Sequence, residues 1–438
     1  MGLKVVKFGG TSLASAEAFR KVKNIIEQDP NRRYVVPSAP GKRFNDDTKV
    51  TDLLYQCYEA VSNGQPYDHI FNAIKERYTS IVTGLELDYD IVCHLDHVYK
   101  TLPSTVTPDY AASRGEYLNG LLLAAYLGVP FVDAANVIFF NAQGQLDMAK
   151  TEAAIKEKLA DYPRAVIPGF YGSLPNGEIK TFSRGGSDIT GALVARAVNA
   201  AMYENWTDVS GIYMADPRII SQPKEISHIT YSELRELAYA GANVLHEDAI
   251  YPVRQVGIPI NIRNTNRPED PGTLIISSNG NGEAESDVTG IAGRKDFVII
   301  TIEKALMHSE TGFVRRLLSI LEEEDISFEH MPSGIDSVSL VISECQLKGK
   351  LETVIAKIDK RLEPDKVEVF HEIALIATVG RRMVYKKGIA ARLFTALAES
   401  GINIRLIAQG SSEMNIIIGI ENKDFDQAVK SIYNAFVN

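Results

Sequence analysis

The first residues contain the pattern that most restricts the fold of this chain. Residues 4–8, Lys-Val-Val-Lys-Phe, read as a buried strand, and Gly9 and Gly10 follow it directly. Apolar residues at helical spacing then predict a helix over residues 14–28. A strand, a glycine turn and a helix in this order are typical of α/β folds.

Lys7 lies where this strand meets the turn, so its ammonium is placed to reach an anion. The backbone amides of the turn, those of Gly9, Gly10 and Thr11, would hold a phosphate beside it. A lysine next to glycine amides suits phosphoryl transfer. The spacing matches neither a Walker A loop nor the dinucleotide-binding fingerprint, and a single Gly-Gly turn is weak evidence by itself.

A second glycine turn lies within residues 181–191, Thr-Phe-Ser-Arg-Gly-Gly-Ser-Asp-Ile-Thr-Gly. Arg184 offers a planar fork for a carboxylate or phosphate, and the two glycines after it let the backbone approach a ligand. We expect Ser187 or Asp188 to cap the helix that follows, and such helix starts bind anions. An ordinary capped helix after a glycine turn explains these residues equally well, so both interpretations stay open.

Composition narrows the class of protein. The chain has 438 residues, of which 45% are hydrophobic, enough for roughly two to four domains. Its net charge of −10 argues against a nucleic-acid or membrane-surface partner. The three cysteines lack metal-binding spacing, the first residues lack a signal-peptide pattern, and the longest apolar stretch is too short to cross a bilayer. We therefore expect a cytoplasmic enzyme.

Strand and helix patterns alternate up to a loop rich in glycine and asparagine at residues 277–285, where we place a domain boundary after a first domain of residues 1–280. The chain then repeats a βαββα pattern in two units, residues 287–371 and 372–438. In the first unit we expect a strand over residues 326–330. Because the second unit ends on a helix, we expect residues 287–292 to supply its missing strand.

Four short strings, in this order, resemble the aspartate kinases of the amino-acid kinase family. They are Lys7-Phe8-Gly9-Gly10-Thr11-Ser12, Arg114-Gly115-Glu116, Ser183-Arg184-Gly185-Gly186-Ser187-Asp188 and Thr207-Asp208-Val209-Ser210-Gly211-Ile212-Tyr213. The resemblance covers nearly the whole chain. It implies an α/β fold in which an αβα-sandwich kinase domain precedes two ferredoxin-like (βαββαβ) ACT domains. The string Met307-His308-Ser309 looks most like the lysine-sensitive, single-function subgroup, so we expect no fused homoserine dehydrogenase domain.

The resemblance implies ATP-dependent phosphorylation of the β-carboxylate of L-aspartate, the first step of lysine, threonine and methionine biosynthesis. Mg²⁺ would enter with the nucleotide, without metal ligands from the protein. Two residues are expected to be catalytic: Lys7 would neutralise the transferring phosphoryl group, and Asp188 would orient Lys7 or the substrate ammonium. Arg184 would bind the substrate α-carboxylate and Glu116 its α-ammonium, while Ser38 and Thr51 would line the same pocket.

The resemblance also implies a nucleotide site, formed by Lys7, Gly9, Gly10, Thr207, Asp208, Tyr213, Arg218, Asn243 and Val244. Asp208 would accept from a ribose hydroxyl or the adenine amine, and Arg218 would reach phosphates. The chain departs from the family pattern twice. Asn243 stands where the family usually has a lysine, and the loop between Ser38 and Thr51 has an unusual sequence.

The first ACT unit is expected to bind inhibitory L-lysine through Met307, Ser309, Gly312, Phe313, Val314 and Glu329. Gly312 would permit close backbone approach, and Glu329 would accept from an ammonium group of the ligand. Since ACT domains commonly bind ligands across a dimer interface, we expect a homodimer or tetramer. Two alternatives stay open: another amino-acid kinase, such as a glutamate kinase, and a catalytically dead amino-acid sensor.

Overall fold

The structure is a computed structural model that describes residues 2–103, 107–183, 185–242, 245, 247–277, 286–410 and 412–437. It divides into two compact units. The first comprises Met1–Ile212, Glu225–Leu234 and Asn243–Gly282, and the second comprises Tyr213–Lys224, Arg235–Ala242 and Glu283–Asn438. Two short segments that precede the predicted domain boundary thus belong to the second unit. Most of the predicted boundary loop, residues 278–285, lies outside the described residues.

Up to residue 277, short strands alternate with longer helices. The strands are β1 (Lys4–Phe8), β2 (Arg32–Pro37), β3 (Ala165–Val166), β4 (Tyr171–Ser173), β5 (Ile179–Thr181), β6 (Met202–Thr207), β7 (Ile212–Tyr213), β8 (Glu225–Ile226), β9 (His228–Thr230), β10 (Ile260–Asn264) and β11 (Thr273–Ile276). The helices are α1 (Ala16–Gln28), α2 (Val50–Ser62), α3 (Asp68–Gly84), α4 (Ile91–Thr101), α5 (Pro108–Leu127), α6 (Met148–Ala160), α7 (Gly186–Ala197), α8 (Tyr231–Tyr239) and α9 (Glu247–Arg254).

The central sheet of the first unit determines where the candidate site lies. Its strand order is β3-β2-β1-β6-β10-β11-β9, and every neighbouring pair is parallel except β10 and β11. β1 therefore lies between β2 and β6, and helix α7 packs across these three strands. Parallel strands carry their carboxyl ends to one edge, so the turns after β1, β2 and β6 meet there.

Helix α1 shows why the sequence forms these elements. Ser15 caps it by accepting a hydrogen bond from the Ala18 amide, and its apolar residues recur at helical spacing. Those residues, Phe19, Val22, Ile25 and Ile26, are buried in a core shared with α2–α5. The same periodicity makes the helices of this unit predictable from sequence.

The second unit contains one antiparallel sheet of order β13-β12-β14-β16-β15. Its strands are β12 (Gly290–Glu303), β13 (Ser337–Ser343), β14 (Lys366–Val379), β15 (Leu406–Ala408) and β16 (Asn415–Glu421). Its helices are α10 (Phe313–Glu323), α11 (Glu344–Leu347), α12 (Leu351–Leu362), α13 (Ile389–Glu399) and α14 (Phe425–Val437). Helix α10 packs on α12, and α13 packs on α14.

The long strands β12 and β14 each serve both halves of this sheet. Residues 290–294 of β12 pair with residues 375–379 of β14, and residues 299–303 pair with residues 366–370. The register shifts between these stretches, at residues 294–299. The start of β12 thus pairs with the second repeat, although it precedes the first repeat in the chain.

One predicted strand is wrong. Residues 326–330 form only a single bridge, between His330 and Val341. Glu329 and His330 exchange two backbone hydrogen bonds with Val341, but Pro332 follows and lacks the amide that a ladder needs. Among the described residues, no helix is long and apolar enough to span a membrane.

Candidate active site

Lys7 lies at the centre of the candidate site because of the strand register. It pairs with Asn205 across the parallel strands β1 and β6, so both side chains point to the same face of the sheet. Lys7 Nζ lies 2.6 Å from Asp188 Oδ1 and 3.4 Å from Asn205 Oδ1. Asn205 Nδ2 in turn donates to Asp188 Oδ1 at 2.9 Å. The sheet and helix α7 thus hold the buried Lys7 in a triad with the buried Asn205 and the half-buried Asp188.

The turn after β1 offers two amides beside Lys7. A short 3₁₀ helix, Thr11–Leu13, begins directly after Gly10. Within the described part of the chain, neither the Gly10 nor the Thr11 amide has an acceptor. The Gly9 amide, expected to bind phosphate, instead donates to the Trp206 carbonyl at 3.0 Å, because it continues the pairing of β1 with β6. The amides of this turn that are left to bind an anion are therefore those of Gly10 and Thr11.

Helix α7 begins at the second glycine turn. Its N-cap is Gly185, in the left-handed region at φ 59°, and no side chain caps the helix. The expected capping by Ser187 or Asp188 is wrong, since Asp188 Oδ1 is held by Lys7 and Asn205. Among the residues that the structure describes, the backbone amides at this helix start therefore have no side-chain acceptor. Arg184 lies outside the described residues.

Glu116 lies on α5 and is only 5% exposed. Its Oε2 atom finds no hydrogen-bond partner among the described residues. Burial raises the pKa of Glu116 to about 8, and the backbone amides of Ala39 and Glu116 and the charge of Arg114 offset only part of this. A buried carboxylate without a cation is costly, so the site favours either a proton or a positively charged ligand there.

The other two expected aspartate ligands lie at the two ends of one loop. The Ser38 amide donates to the Phe8 carbonyl at 3.0 Å, which places it directly beside the end of β1. Asn119, one turn after Glu116 on α5, donates from Nδ2 to the Ser38 carbonyl at 2.6 Å. Thr51 is the second residue of α2. Both predicted ligands are half-buried.

The expected nucleotide residues are divided between the two units. In the first unit, Thr207 ends β6 and donates through Oγ1 to the exposed Asp208 at 3.2 Å. In the second unit, Tyr213 is half-buried, and Arg218 is 88% exposed with its guanidinium 2.6 Å from Asp216. Asn243 and Val244 lie outside the described residues.

The expected lysine residues belong to the second unit. Gly312 is the N-cap of α10 at φ 81°, and the buried Phe313 follows it. Met307, also buried, begins the 3₁₀ turn that ends at Ser309, while Val314 packs against the core. Glu329 lies 3.2 Å from Arg294 through Oε1, and its Oε2 atom is buried without a hydrogen-bond partner among the described residues.

Two residues of the site were missed from the sequence: Asn205 and Asn119. Asn205 had a signal, since it follows Glu204 within an otherwise buried strand and two adjacent buried polar residues both need partners. No group of three or more His, Cys, Asp or Glu side chains in the described ranges could hold a metal ion.

The comparisons with known proteins agree with this geometry. The amino acid kinase family matches residues 2–264, and an ACT domain matches residues 376–436. Aspartokinase 3 of Bacillus subtilis (strain 168) is 39% identical to the chain over 99% of its length and 98% of that protein. The chain belongs to the aspartate kinases of the amino acid kinase family. The predicted fold, a kinase domain followed by ACT structure, is confirmed.

Solved aspartate kinases have the same overall fold. The crystal structure of the Clostridium acetobutylicum aspartate kinase is 57% identical with a TM-score of 0.94, covering 99% of this chain and 100% of that one. Escherichia coli aspartokinase III is 27% identical over the full length of both chains. It was solved with aspartate and ADP in an R-state (TM-score 0.76) and with lysine and aspartate in a T-state (0.75).

Proposed function

We propose that this aspartate kinase transfers the γ-phosphoryl group of ATP to the β-carboxylate of L-aspartate, giving 4-phospho-L-aspartate and ADP. One carboxylate oxygen forms the new bond to the γ-phosphorus while the bond to the β,γ-bridging oxygen breaks. The carboxylate is already ionised at neutral pH, so the step needs no general base. The observation that carries this proposal is the buried Lys7 beside the acceptor-free amides of Gly10 and Thr11.

Each group has a role that follows from its chemistry. Lys7 neutralises charge on the transferring phosphoryl group, and Asp188 with Asn205 holds its ammonium in place. The Gly10 and Thr11 amides donate to phosphate oxygens. Mg²⁺ carried on the nucleotide phosphates would supply further charge neutralisation.

The amino-acid pocket discriminates by charge. The Glu116 carboxylate accepts from the substrate α-ammonium, which supplies the cation that Oε2 lacks. Arg184 forms a bidentate pair with the α-carboxylate, and Ser38 and Thr51 line the remaining wall.

The nucleotide is assigned to the residues that follow β6. Asp208 accepts from the ribose or the adenine amine, while Thr207, Tyr213, Asn243 and Val244 complete the base and sugar site. Arg218 reaches the phosphates by leaving Asp216. Its guanidinium is 88% exposed, so separating this ion pair costs little.

The substrate assignment is tested by a coupled assay that measures ADP release with aspartate and with glutamate. We expect turnover with aspartate and a kcat/KM for glutamate roughly 10- to 200-fold lower, the discrimination that one methylene allows. Preference for glutamate would identify a different amino-acid kinase. Absence of turnover with either amino acid would identify a catalytically dead sensor.

We also propose that L-lysine inhibits the enzyme by binding at the first ACT unit. The start of α10 at Gly312 offers uncapped amides for the lysine carboxylate, and the buried Glu329 Oε2 offers an acceptor for an ammonium. The T-state of the E. coli enzyme with lysine and aspartate supports this proposal. Inhibition would shift populations between conformers of a cytoplasmic homodimer or tetramer, so aspartate and ATP would weaken lysine binding reciprocally.

Glu329→Ala is expected to raise the inhibition constant for lysine roughly 10- to 100-fold, the effect of removing a hydrogen bond to a charged group. Uninhibited kcat should stay close to that of the wild type. Arg294→Met is the matched control, because it breaks the same ion pair and keeps the carboxylate. Initial rates over a lysine series decide the matter, and a wild-type enzyme that responds to threonine but ignores millimolar lysine would contradict the proposal.

A further inference from the structure

The loop between β2 and α2 connects the two ends of the aspartate pocket without forming a helix or strand. Ser38 begins it and Thr51 follows it, and its tip, residues 42–46, is exposed. Gly41 and Asp47, on either side of that tip, are buried. An irregular loop of this length needs fixed contacts at its buried points to keep one conformation.

Those contacts come from one side chain on helix α3. Arg77 is 4% exposed, and its Nη1 donates to the Gly41 carbonyl at 2.8 Å. Its Nη2 lies 2.8 Å from both carboxylate oxygens of Asp47 and 3.3 Å from the Thr48 carbonyl. A single guanidinium therefore joins both sides of the exposed tip.

Further contacts hold the Asp47 carboxylate in place and keep it ionised for Arg77. Arg43 donates to it from Nε and from its backbone amide, each at 2.9 Å. The Arg43 hydrogen bonds, followed by the charges of Arg77 and Arg43, hold the pKa of Asp47 well below its usual range against the effect of burial. The carboxylate is therefore ionised at neutral pH.

The loop also lies directly on the phosphate-binding turn. The Gly41 amide donates to the Gly10 carbonyl at 2.8 Å. A Cβ atom at Gly41 would lie 2.6 Å from the Gly10 carbonyl carbon and 2.7 Å from the Thr11 nitrogen, so no side chain fits there. A large shift of Gly41 would therefore also disturb the Gly10–Thr11 turn that follows the Lys7 strand.

We propose that Arg77 is a positioning residue for aspartate binding. By holding Gly41, Asp47 and Thr48, it fixes the loop so that Ser38 and Thr51 face the substrate beside the Lys7 turn. This inference rests on the proposed roles of Ser38 and Thr51 as aspartate ligands. Arg77 acts through the loop and not on the substrate, since both of its terminal nitrogens already bind loop oxygens.

Arg77→Met is expected to lower kcat/KM for aspartate roughly 10²-fold, the cost of misplacing a binding group by about 1 Å. KM for ATP should rise much less than KM for aspartate, because Arg77 contacts the loop and not the phosphate-binding turn itself. Arg77→Lys should lose less, because an ammonium keeps the charge but cannot hold both sides of the loop. Lys75→Met is the matched control, because it removes a cation from the same helix that pairs with the exposed Asp96.

A double variant separates positioning from stability. Arg77→Met alone removes the buried one of the two arginines that pair with the buried Asp47 and should lower the melting temperature. Adding Asp47→Leu removes that charge and should recover melting temperature, yet the aspartate KM should remain raised because Gly41 and Thr48 still lack their donor. Recovery of both, or equal rises in KM for aspartate and ATP, would overturn the proposal.

Less disruptive variants keep the test decisive. If Arg77→Met does not fold, Arg77→Lys and Asp47→Asn carry the same comparison of aspartate KM against ATP KM. An aspartate KM that is normal in both of these variants would then overturn the proposal. Ser38→Ala and Thr51→Val, measured alongside, test the underlying function: a normal aspartate KM in both refutes their role as ligands whatever the Arg77 variants show.

Discussion

Lys7→Met is expected to lower kcat roughly 10²- to 10³-fold while the protein still folds, the loss seen when one preorganised charge-stabilising donor is removed. The lysine ammonium is held by Asp188 and Asn205, so it costs no reorganisation when charge develops on the phosphoryl group. Steady-state kcat at saturating aspartate and ATP measures the effect, and circular dichroism with thermal unfolding verifies the fold.

Lys4→Met is the matched control because Lys4 lies on the same strand but points to the opposite face. Its ammonium pairs with Glu204 at 2.8 Å and Asp29 at 3.0 Å. We expect this variant to keep kcat near that of the wild type while its melting temperature falls, since Glu204 is almost fully buried. Near-normal turnover of Lys7→Met would refute the role of Lys7 in neutralising the phosphoryl charge.

Local patterns predicted the elements around Lys7 well. The strand over residues 4–8 matches β1, and the predicted helix over residues 14–28 differs from α1 only at its start. Both follow from the spacing of apolar residues within a short window, which the sequence displays directly. The turn between them is likewise visible as two adjacent glycines.

Residues that meet across the fold were much harder to predict. Arg77 lies far along the chain from the turn at Gly10, and only the packing of α3 brings its guanidinium to Gly41. Its neighbour Tyr78 donates to the Gly115 carbonyl at 2.7 Å, which fixes α3 against α5. The sequence around Arg77 predicts a helix, but nothing in it indicates which distant residues this arginine contacts.

The domain boundary shows the same limit on a larger scale. Residues 235–242 precede the predicted boundary but belong to the second unit. There, Glu236 accepts from Asn415 Nδ2 at 2.6 Å, and Leu237 packs so closely on Gly290 that a Cβ atom would lie 2.7 Å away. A boundary placed by loop composition assumes that each domain is one continuous stretch of sequence. These contacts instead join segments that are distant in sequence.

Aspartate binding is expected to strengthen as the pH rises from about 6 to about 8, because Glu116 must lose a proton to accept the substrate ammonium. Burial raises the pKa of Glu116 from 4.5 to about 8 in the unliganded protein, whereas an adjacent ammonium favours the charged carboxylate. Below this pKa, binding must release a proton. The aspartate KM should therefore fall with rising pH and level off above about 8.

The same shift predicts how unfolding depends on pH. The folded-state pKa of Glu116 lies above the unfolded value, so its contribution to stability is fully present below about pH 4.5 and is lost as the pH rises through about 8. Glu116→Gln should remove this loss, and its melting temperature should stay closer to constant over that range. The variant should also bind aspartate roughly 10- to 100-fold more weakly, since a neutral amide replaces a charged acceptor.

Calorimetry in two buffers of different ionisation enthalpy measures the proton release directly. At pH 7 the wild type should release up to about one proton per aspartate bound, and Glu116→Gln should release none. Glu59→Gln, which removes an exposed carboxylate from α2, should behave as the wild type does. Equal binding heats in both buffers, together with an aspartate KM that does not change between pH 6 and 8, would show that Glu116 is already ionised in the free enzyme. The ammonium of the substrate would then need another acceptor. Asn119 would be the first residue to mutate, because it is fully buried and its Oδ1 atom has no hydrogen-bond partner among the described residues.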